Sequence, residues 1–572
     1  MKFFHVYNEE CYVGLEKNGL LNKDTGFKIQ HAFSMPADRK FNQFAAEGTK
    51  LYNMIAEHKI PFYVDRIAGG VTWHKYPFDK ALIRKYDELL GNWFLGFQLH
   101  ESASNRRQDW NAIIKGTGEK GPYNVETLNN LLVSPYAKMP DGTMLKTVSQ
   151  DPVEIYATLR YSETPEAFYE EIKAMYQRRL DETDGHIIPC DSYYMATRLD
   201  NELGMQTFMP EVGCQIPQMR LQLALARGIA RATGKTWGAY YECWREVPGV
   251  GYCMPCFNTD PSNEWYLTQE LHPDDFSSYG ENGGSSRLLQ NRIYHFALMS
   301  GADYFSEEWG LNCSYSDMKT FDLSAYGKTK KNFINTALTL QGVKPVTPFA
   351  IVLPKAYAFV EIPTMFEEYK VGGHRDVYME CVLTPEQKQY FGHVEDVLKL
   401  FYAAKGEMVG NESHVITNSR FADVLDIVYE DTPGMDKYEY LIDASPDGAF
   451  ARANAGKYKI LESADLEKLA ATVEKLIPQL MPCYADDLCW LVSKDETGRR
   501  FVSIFNNGGN ERSLEKGDIL HSEADKIVTL TLKEPAQLQV IAQSAMECKI
   551  QKLDNKTYKI MVPAAGFVVL EY

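Results

Sequence analysis

The stretch Thr236–Glu246, TWGAYYECWRE, decides the fold. Its first half alternates small and bulky residues, and Trp237, Tyr240 and Tyr241 supply β-favouring side chains, so it reads as a buried strand. The strand then reaches a carboxylate, Glu242, set between Tyr241 and Cys243 with Trp244 beyond. What such an acid is for depends on what the other strands end in.

Working outward, strand-like runs recur along the first 340 or so residues. They are FFHVYN (3–8), FKIQHAF (27–33), PFYVDRI (61–67), FLGFQLH (94–100), HIIPCDSY (186–193), MQTFMP (205–210), TWGAYYE (236–242) and ADYFSEE (302–308). Amphipathic segments with apolar residues at helical spacing lie between most of them, at 41–58, 78–92, 165–180, 217–234 and 287–301. Gly near the helix ends, as in ATGK and SGAD, marks the turns back into strands. Eight strands alternating with helices predict an α/β fold, a (β/α)8 TIM barrel over 1–344, with its longest insertions after strands four and seven. A doubly wound open sheet is the rival, but no GxGxxG turn follows any of the strands.

The pattern restarts near residue 345. VKPVTPFAIVLP, RFADVLDIVYE, YEYLIDASP and KYKILES are strands, and 385–406 and 464–480 are helices, which predicts a smaller α/β domain over 345–483. From 484 to 572 the helices stop, and short strands with turn signals such as NNGGN and LDNK predict a small β-sandwich.

Bulk composition narrows the function. A formal net charge of −17 disfavours nucleic acid and anionic lipid as partners, because both need a basic face. No segment has the roughly 18 apolar residues of a membrane span. The N-terminal MKFFHVYNEECYVGL is interrupted by His5, Asn8, Glu9 and Glu10, so a cytoplasmic location is expected. The 11 Cys are scattered and odd in number, which fits reduced thiols. Cys253 and Cys256 have metal-ligand spacing, but a tetrahedral site needs two further ligands, which Cys214, Cys243 or Cys313 would have to bring in space. No metal and no cofactor are therefore expected. Aromatics make up 12% of the chain, and flat side chains with polar edges suit sugar rings as well as cores.

Catalytic side chains in such a barrel sit at the C-terminal ends of the strands. Here those ends carry Asp65-Arg66 on strand three, His100-Glu101 on strand four, Glu211 on strand six, Glu242 on strand seven, and Glu307, Glu308 and Trp309 on strand eight. An acidic, aromatic mouth has a plain chemical use. Cleaving a glycosidic bond takes two carboxyl groups, one to deliver a proton to the leaving oxygen and one to attack the anomeric carbon or activate water. Strands four and seven lie far enough apart around the barrel for their acids to face each other at the ~5 Å that retaining chemistry requires.

This layout resembles clan A of the glycoside hydrolases. By that resemblance Glu101 would be the acid/base, Glu242 the nucleophile and Trp309 a platform under the sugar, with Tyr240 and Tyr241 near enough to bond a carboxylate or a sugar hydroxyl. Glu211 competes with Glu242 for the nucleophile's place. The clan's usual Asn before the acid/base is His100 here, which can also bond a hydroxyl but with a different reach and a pH-dependent charge. The order barrel, amidotransferase-like α/β domain, β domain is similar to that of family-42 β-galactosidases. It implies a retaining, exo-acting β-glycosidase with a carbohydrate substrate, commonly a trimer. An amidotransferase's nucleophilic Cys is missing from the matching stretch YLIDASPDGAF, which offers Ala444 and Ser445.

Other mouth residues stay open. Glu307 and Glu308 could bind substrate hydroxyls or pair with Arg245; Asp65 and Arg66 could orient a carboxylate or form a structural pair; Trp73 and His74 could line a subsite or pack a loop. Asp109 and Trp110 read as helix residues. Two other functions remain: a carbohydrate-binding protein that has lost catalysis, and a transglycosylase or phosphorylase on the same scaffold.

Overall fold

The computed structural model describes residues 1–7, 9–29, 37–68, 76–104, 164–192, 195–214, 219–247, 251–255, 276–278, 280–308, 313–359, 382–406 and 409–572. The barrel strands are β1 (Lys2–Tyr7), β2 (Thr25–Ile29), β3 (Phe62–Ala68), β4 (Phe94–His100), β5 (Ile187–Cys190), β6 (Thr207–Phe208), β7 (Glu211–Gly213) and β8 (Thr236–Glu242). After a small sheet of β9 (Arg245–Val247), β10 (Gly251–Cys253) and β11 (Phe276–Ser278), the barrel ends with β12 (Tyr304–Glu307). The hydrogen-bonded order is β5-β4-β3-β2-β1-β12-β8-β6 with β7 also on β8, and every pairing in it is parallel. β6 and β7 are two halves of one barrel strand. At the mouth the ring is drawn shut by the Glu211 N–H, which donates to the Asp191 carbonyl at 3.0 Å.

Strand alternation sorts the side chains into two sets. Phe4, Tyr63, Leu95, Ile188, Met209, Tyr240 and Tyr304 form a cluster of their own that fills the lumen. Phe3, Phe27, Phe62, Phe97, Trp237, Ala239, Tyr241 and Phe305 belong to the main core outside the ring, under the helices. Those helices start where the sequence supplies caps. Thr49, Asp79, Thr164, Ser286 and Ser324 each accept a first-turn N–H, ahead of Lys50–His58, Lys80–Leu90, Pro165–Glu182, Arg287–Met299 and Ala325–Ala337.

Beyond the barrel, Leu425–Tyr429, Phe349–Leu353, Tyr440–Asp443 and Ile460–Glu462 form a parallel sheet in that order, accompanied by helices Pro385–Tyr402 and Leu466–Leu480. The last part contains a five-stranded and a four-stranded sheet with antiparallel pairing. The division between parts is less clean than the sequence suggests. Lys344–Pro345, at the expected first boundary, adds to the edge of the C-terminal sheet beside Cys489–Lys494.

Barrel and middle sheet meet along helix Met219–Thr233. A Cβ on Gly228 would fall 2.1 Å from the Ile427 carbonyl oxygen, so only glycine lets the helix lie directly on strand Leu425–Tyr429. Beside it, Arg227 is 3% exposed and spans the junction to Asp426 (2.5 Å), Asp423 (2.9 Å) and the Leu425 carbonyl (2.7 Å).

Candidate active site

The mouth is built from strand ends that break the simple alternation. Between Val64↔Phe97 and Ile67↔Leu99, two residues of β3 oppose one of β4. This bulge, with Arg66 at φ +52°, brings Asp65 and Arg66 to the same side. Glu101 likewise has φ +45°, so it follows His100 into the mouth. A non-glycine residue held in the left-handed region costs on the order of 1–3 kcal/mol, and surrounding contacts must sustain it. For Glu101 one such contact is its own N–H, which donates to the Cys190 carbonyl at 2.7 Å. Next along the chain, the Asp191 carboxylate accepts from the Ala103 N–H at 2.8 Å and the Ser104 N–H at 3.4 Å. Cys190-Asp191 thus ties the ends of β4 and β7 together.

His100, Glu101, Glu211 and Glu308 converge, each bringing one ring nitrogen or carboxylate oxygen to within 4.8 Å of the others. His100 Nε2 lies 3.3 Å from Glu101 Oε1 and 3.6 Å from Glu308 Oε1. Its ring meets that of Tyr240 edge-on at 5.8 Å. Glu308 is held by Arg66 and by Trp244, whose Nε1 donates to it at 2.6 Å. Below them Lys28, fully buried, donates to the Tyr240 hydroxyl (3.0 Å) and to the carbonyls of Glu307 (3.2 Å) and Glu308 (3.0 Å), and pairs with Asp65 at 3.2 Å.

The acids divide electrostatically. Burial works against ionisation of Glu101, but His100 and Arg66 outweigh it and hold its pKa down at about 2. Burial pushes Glu242 well above the usual carboxylate range, and the negative charges of Glu308 and Glu101 add to the shift. The same holds for Glu211, raised by burial and then by Glu101 and Glu242. Both Glu211 oxygens are buried without a donor in reach, and its neighbour is the Glu101 carboxylate. Two acids stand together in this way with one proton between them.

That raised pKa has a consequence for stability. The folded state binds a proton at Glu211 that the unfolded chain gives up near pH 4.5, so this contribution is full below that value and is lost as pH rises towards the folded pKa. Glu211→Gln keeps a neutral side chain with a donor for Glu101. It is expected to melt higher than the parent at pH 7–8, with the gap closing towards pH 4 at about 1.4 kcal/mol per pH unit while the group titrates. Melting curves across that range check it; a variant less stable at pH 8 than the parent would sink the assignment of a buried, protonated acid.

The structure thus assembles His100, Glu101, Glu211, Glu242, Glu308, Asp65, Arg66 and Tyr240 around one mouth. Two expected members point elsewhere. Glu307, expected to bind substrate, faces out of the ring, where its carboxylate takes Tyr294, Lys330 and, at 2.6 Å, the Tyr326 hydroxyl. Tyr241 also faces out, bonded to Ser285 and packed on Tyr294. Neither Glu307 nor Glu308 pairs with Arg245, which donates to the Arg512 carbonyl at 2.9 Å. Cys214 lies 3.8 Å from Glu412, and the Cys243 and Cys313 sulfurs lie 3.5 Å apart. Trp73, His74, Asp109, Trp110, Cys256 and Trp309 lie outside the described residues. Sequence reasoning missed Lys28, Trp244 and Cys190. Lys28 had a signal, a lone cation inside the apolar run FKIQHAF, and Trp244 stood in the opening stretch itself.

No family model matches the chain, and no curated protein matches it. Among solved structures, α-L-fucosidase isoenzyme 2 from Paenibacillus thiaminolyticus aligns with 99% of this chain and 90% of its own at 9% identity and a TM-score of 0.39. GH5_18 from Streptomyces cattleya, in complex with GlcNAc, aligns with 81% of this chain and 99% of its own at 10% identity and a TM-score of 0.36. Likenesses this distant assign neither family nor activity.

Proposed function

We propose that the barrel mouth hydrolyses the glycosidic bond of a terminal β-linked sugar with retention, through Glu101 and Glu242. The observation that carries this reading is the convergence of Glu101, Glu211 and Glu308 in the mouth, with Glu242 at the end of β8 near enough to feel the charges of Glu101 and Glu308, and with pKa values pushed in opposite directions. Glycoside cleavage needs one ionised and one protonated carboxyl group flanking the same bond. By the clan A resemblance Glu101 delivers the proton and Glu242 attacks. Burial and neighbouring charges favour the opposite pattern in the resting mouth, since they lower the Glu101 pKa and raise that of Glu242. The competent form then differs from the resting one by moving one proton from Glu242 to Glu101 inside the cluster, with no change in net charge. A second reading, favoured by the resting charges, leaves the proton in place and exchanges the two roles.

His100 would bond a sugar hydroxyl near Glu101, and the Arg66–Glu308–Trp244 set would position the ring. β-Galactose comes first among sugars through the family-42 resemblance, and the same resemblance makes the protein a homo-oligomer. Proton NMR of aryl β-glycoside turnover tests the stereochemistry. The β-anomer of the free sugar is expected first, and first appearance of the α-anomer would eliminate retention.

A further inference from the structure

Three donors of different kinds meet on the wall of the mouth at the ends of β4, β5 and β7. One ligand atom each of His100, Cys190 and Glu211 lies within 4.8 Å of the other two. All three residues are buried, at 7%, 0% and 0% exposure. Two features set this cluster apart from an ordinary packed core. His100 Nδ1 is buried without a hydrogen-bond partner, and the buried Glu211 carboxyl accepts no hydrogen bond and has only the Glu101 carboxylate to donate to. Nε2 of His100 lies 3.3 Å from the Glu101 carboxylate and 3.6 Å from that of Glu308, which hold the ring in place. Cys190 is a free thiol.

We infer that His100, Cys190 and Glu211 form a binding site for a borderline-soft divalent cation of the Zn2+ class. Imidazole, thiolate and carboxylate are the three protein ligand types zinc takes, and a three-ligand set leaves a fourth position open towards the mouth. Donors on one zinc stand roughly 3.5 Å apart, so closing from within 4.8 Å takes side-chain adjustments of about 1 Å. Binding releases the Cys190 thiol proton and the Glu211 carboxyl proton to solvent and forms metal–nitrogen, metal–sulfur and metal–oxygen bonds, with no change of oxidation state. His100, which under the glycosidase reading bonds a sugar hydroxyl, would be held by the cation, so metal occupancy and turnover would oppose each other; the site itself does not depend on that reading.

The test is Zn2+ titration of the full-length, metal-stripped protein by calorimetry, with Co2+ absorption as the second readout and no substrate present. One equivalent binding at micromolar or tighter affinity is expected, with a cobalt–thiolate charge-transfer band. Cys190→Ser is expected to abolish the band, and Cys190→Ser and Glu211→Gln each to weaken Zn2+ binding at least tenfold, with melting curves of the stripped variants confirming that they are folded. Absence of Zn2+ binding at 100-fold molar excess, or binding and a band unchanged in Cys190→Ser, would overturn the site. If glycosidase activity is never found but the titration behaves as expected, the cation site stands and the hydrolase reading alone falls.

Discussion

Glu242→Gln is expected to lower kcat/KM towards aryl β-glycosides by roughly a thousandfold or more, and Glu101→Gln to do the same for substrates with poor leaving groups. The amide keeps the size of each side chain while removing, in one case, the attacking oxygen and, in the other, the transferable proton. The two losses differ in kind. An activated aryl leaving group needs no proton, so Glu101→Gln should still be glycosylated by such a substrate and then stall, and azide should rescue it with a β-glycosyl azide as product. In Glu242→Gln azide should enter from the opposite face and give the α-product. A 2-deoxy-2-fluoro glycoside should label Glu242 covalently. Label on Glu101 would exchange the roles, and label on Glu211 would move the pair to the fourth and sixth barrel strands. Full activity in both variants would remove the glycosidase reading altogether.

The second large effect is on stability. Arg227→Met is expected to destabilise the protein by about 3–5 kcal/mol, because it strips the nearest cation from two buried carboxylates and leaves them only the longer pairs, Arg231 with Asp426 at 3.4 Å and Arg220 with Asp423 at 3.9 Å. Asp426 would keep Thr347 at 3.0 Å and Tyr438 at 2.9 Å, whereas Asp423 Oδ1 has no hydrogen-bond partner even now. Adding Asp423→Asn to Arg227→Met should recover part of the loss, since an amide is cheaper to bury unpaired than a carboxylate. Urea unfolding followed by tryptophan fluorescence measures both. A loss below about 1 kcal/mol for Arg227→Met would mean that the junction rests on the Gly228 contact and apolar packing instead.

Strand existence and order were open to sequence reading for a physical reason. Each barrel strand buries both faces, so it shows as a short β-favouring run, and each helix shows its apolar stripe behind a capping Thr, Ser or Asp. All eight expected strand regions carry barrel strands; the sixth holds β6, and β7 follows just beyond its expected end. Boundaries between parts were less open, because an edge strand such as Lys344–Pro345 joins whichever sheet has a free edge, and its own residues do not say which.

The sequence by itself determined which residues stand at the mouth end of each strand, since strand length and the turn that follows are local properties. Which way those residues face was decided by the tertiary structure. Alternation along a regular strand would send adjacent residues to opposite sides, as it does for Glu307 and Glu308. The same rule would have separated Asp65 from Arg66 and His100 from Glu101. Left-handed backbone at Arg66 and Glu101 turns both members of each pair inward. Such a conformation is disfavoured in an isolated chain and persists because contacts from distant segments sustain it, among them Glu308 on Arg66 and the Cys190 carbonyl on the Glu101 N–H.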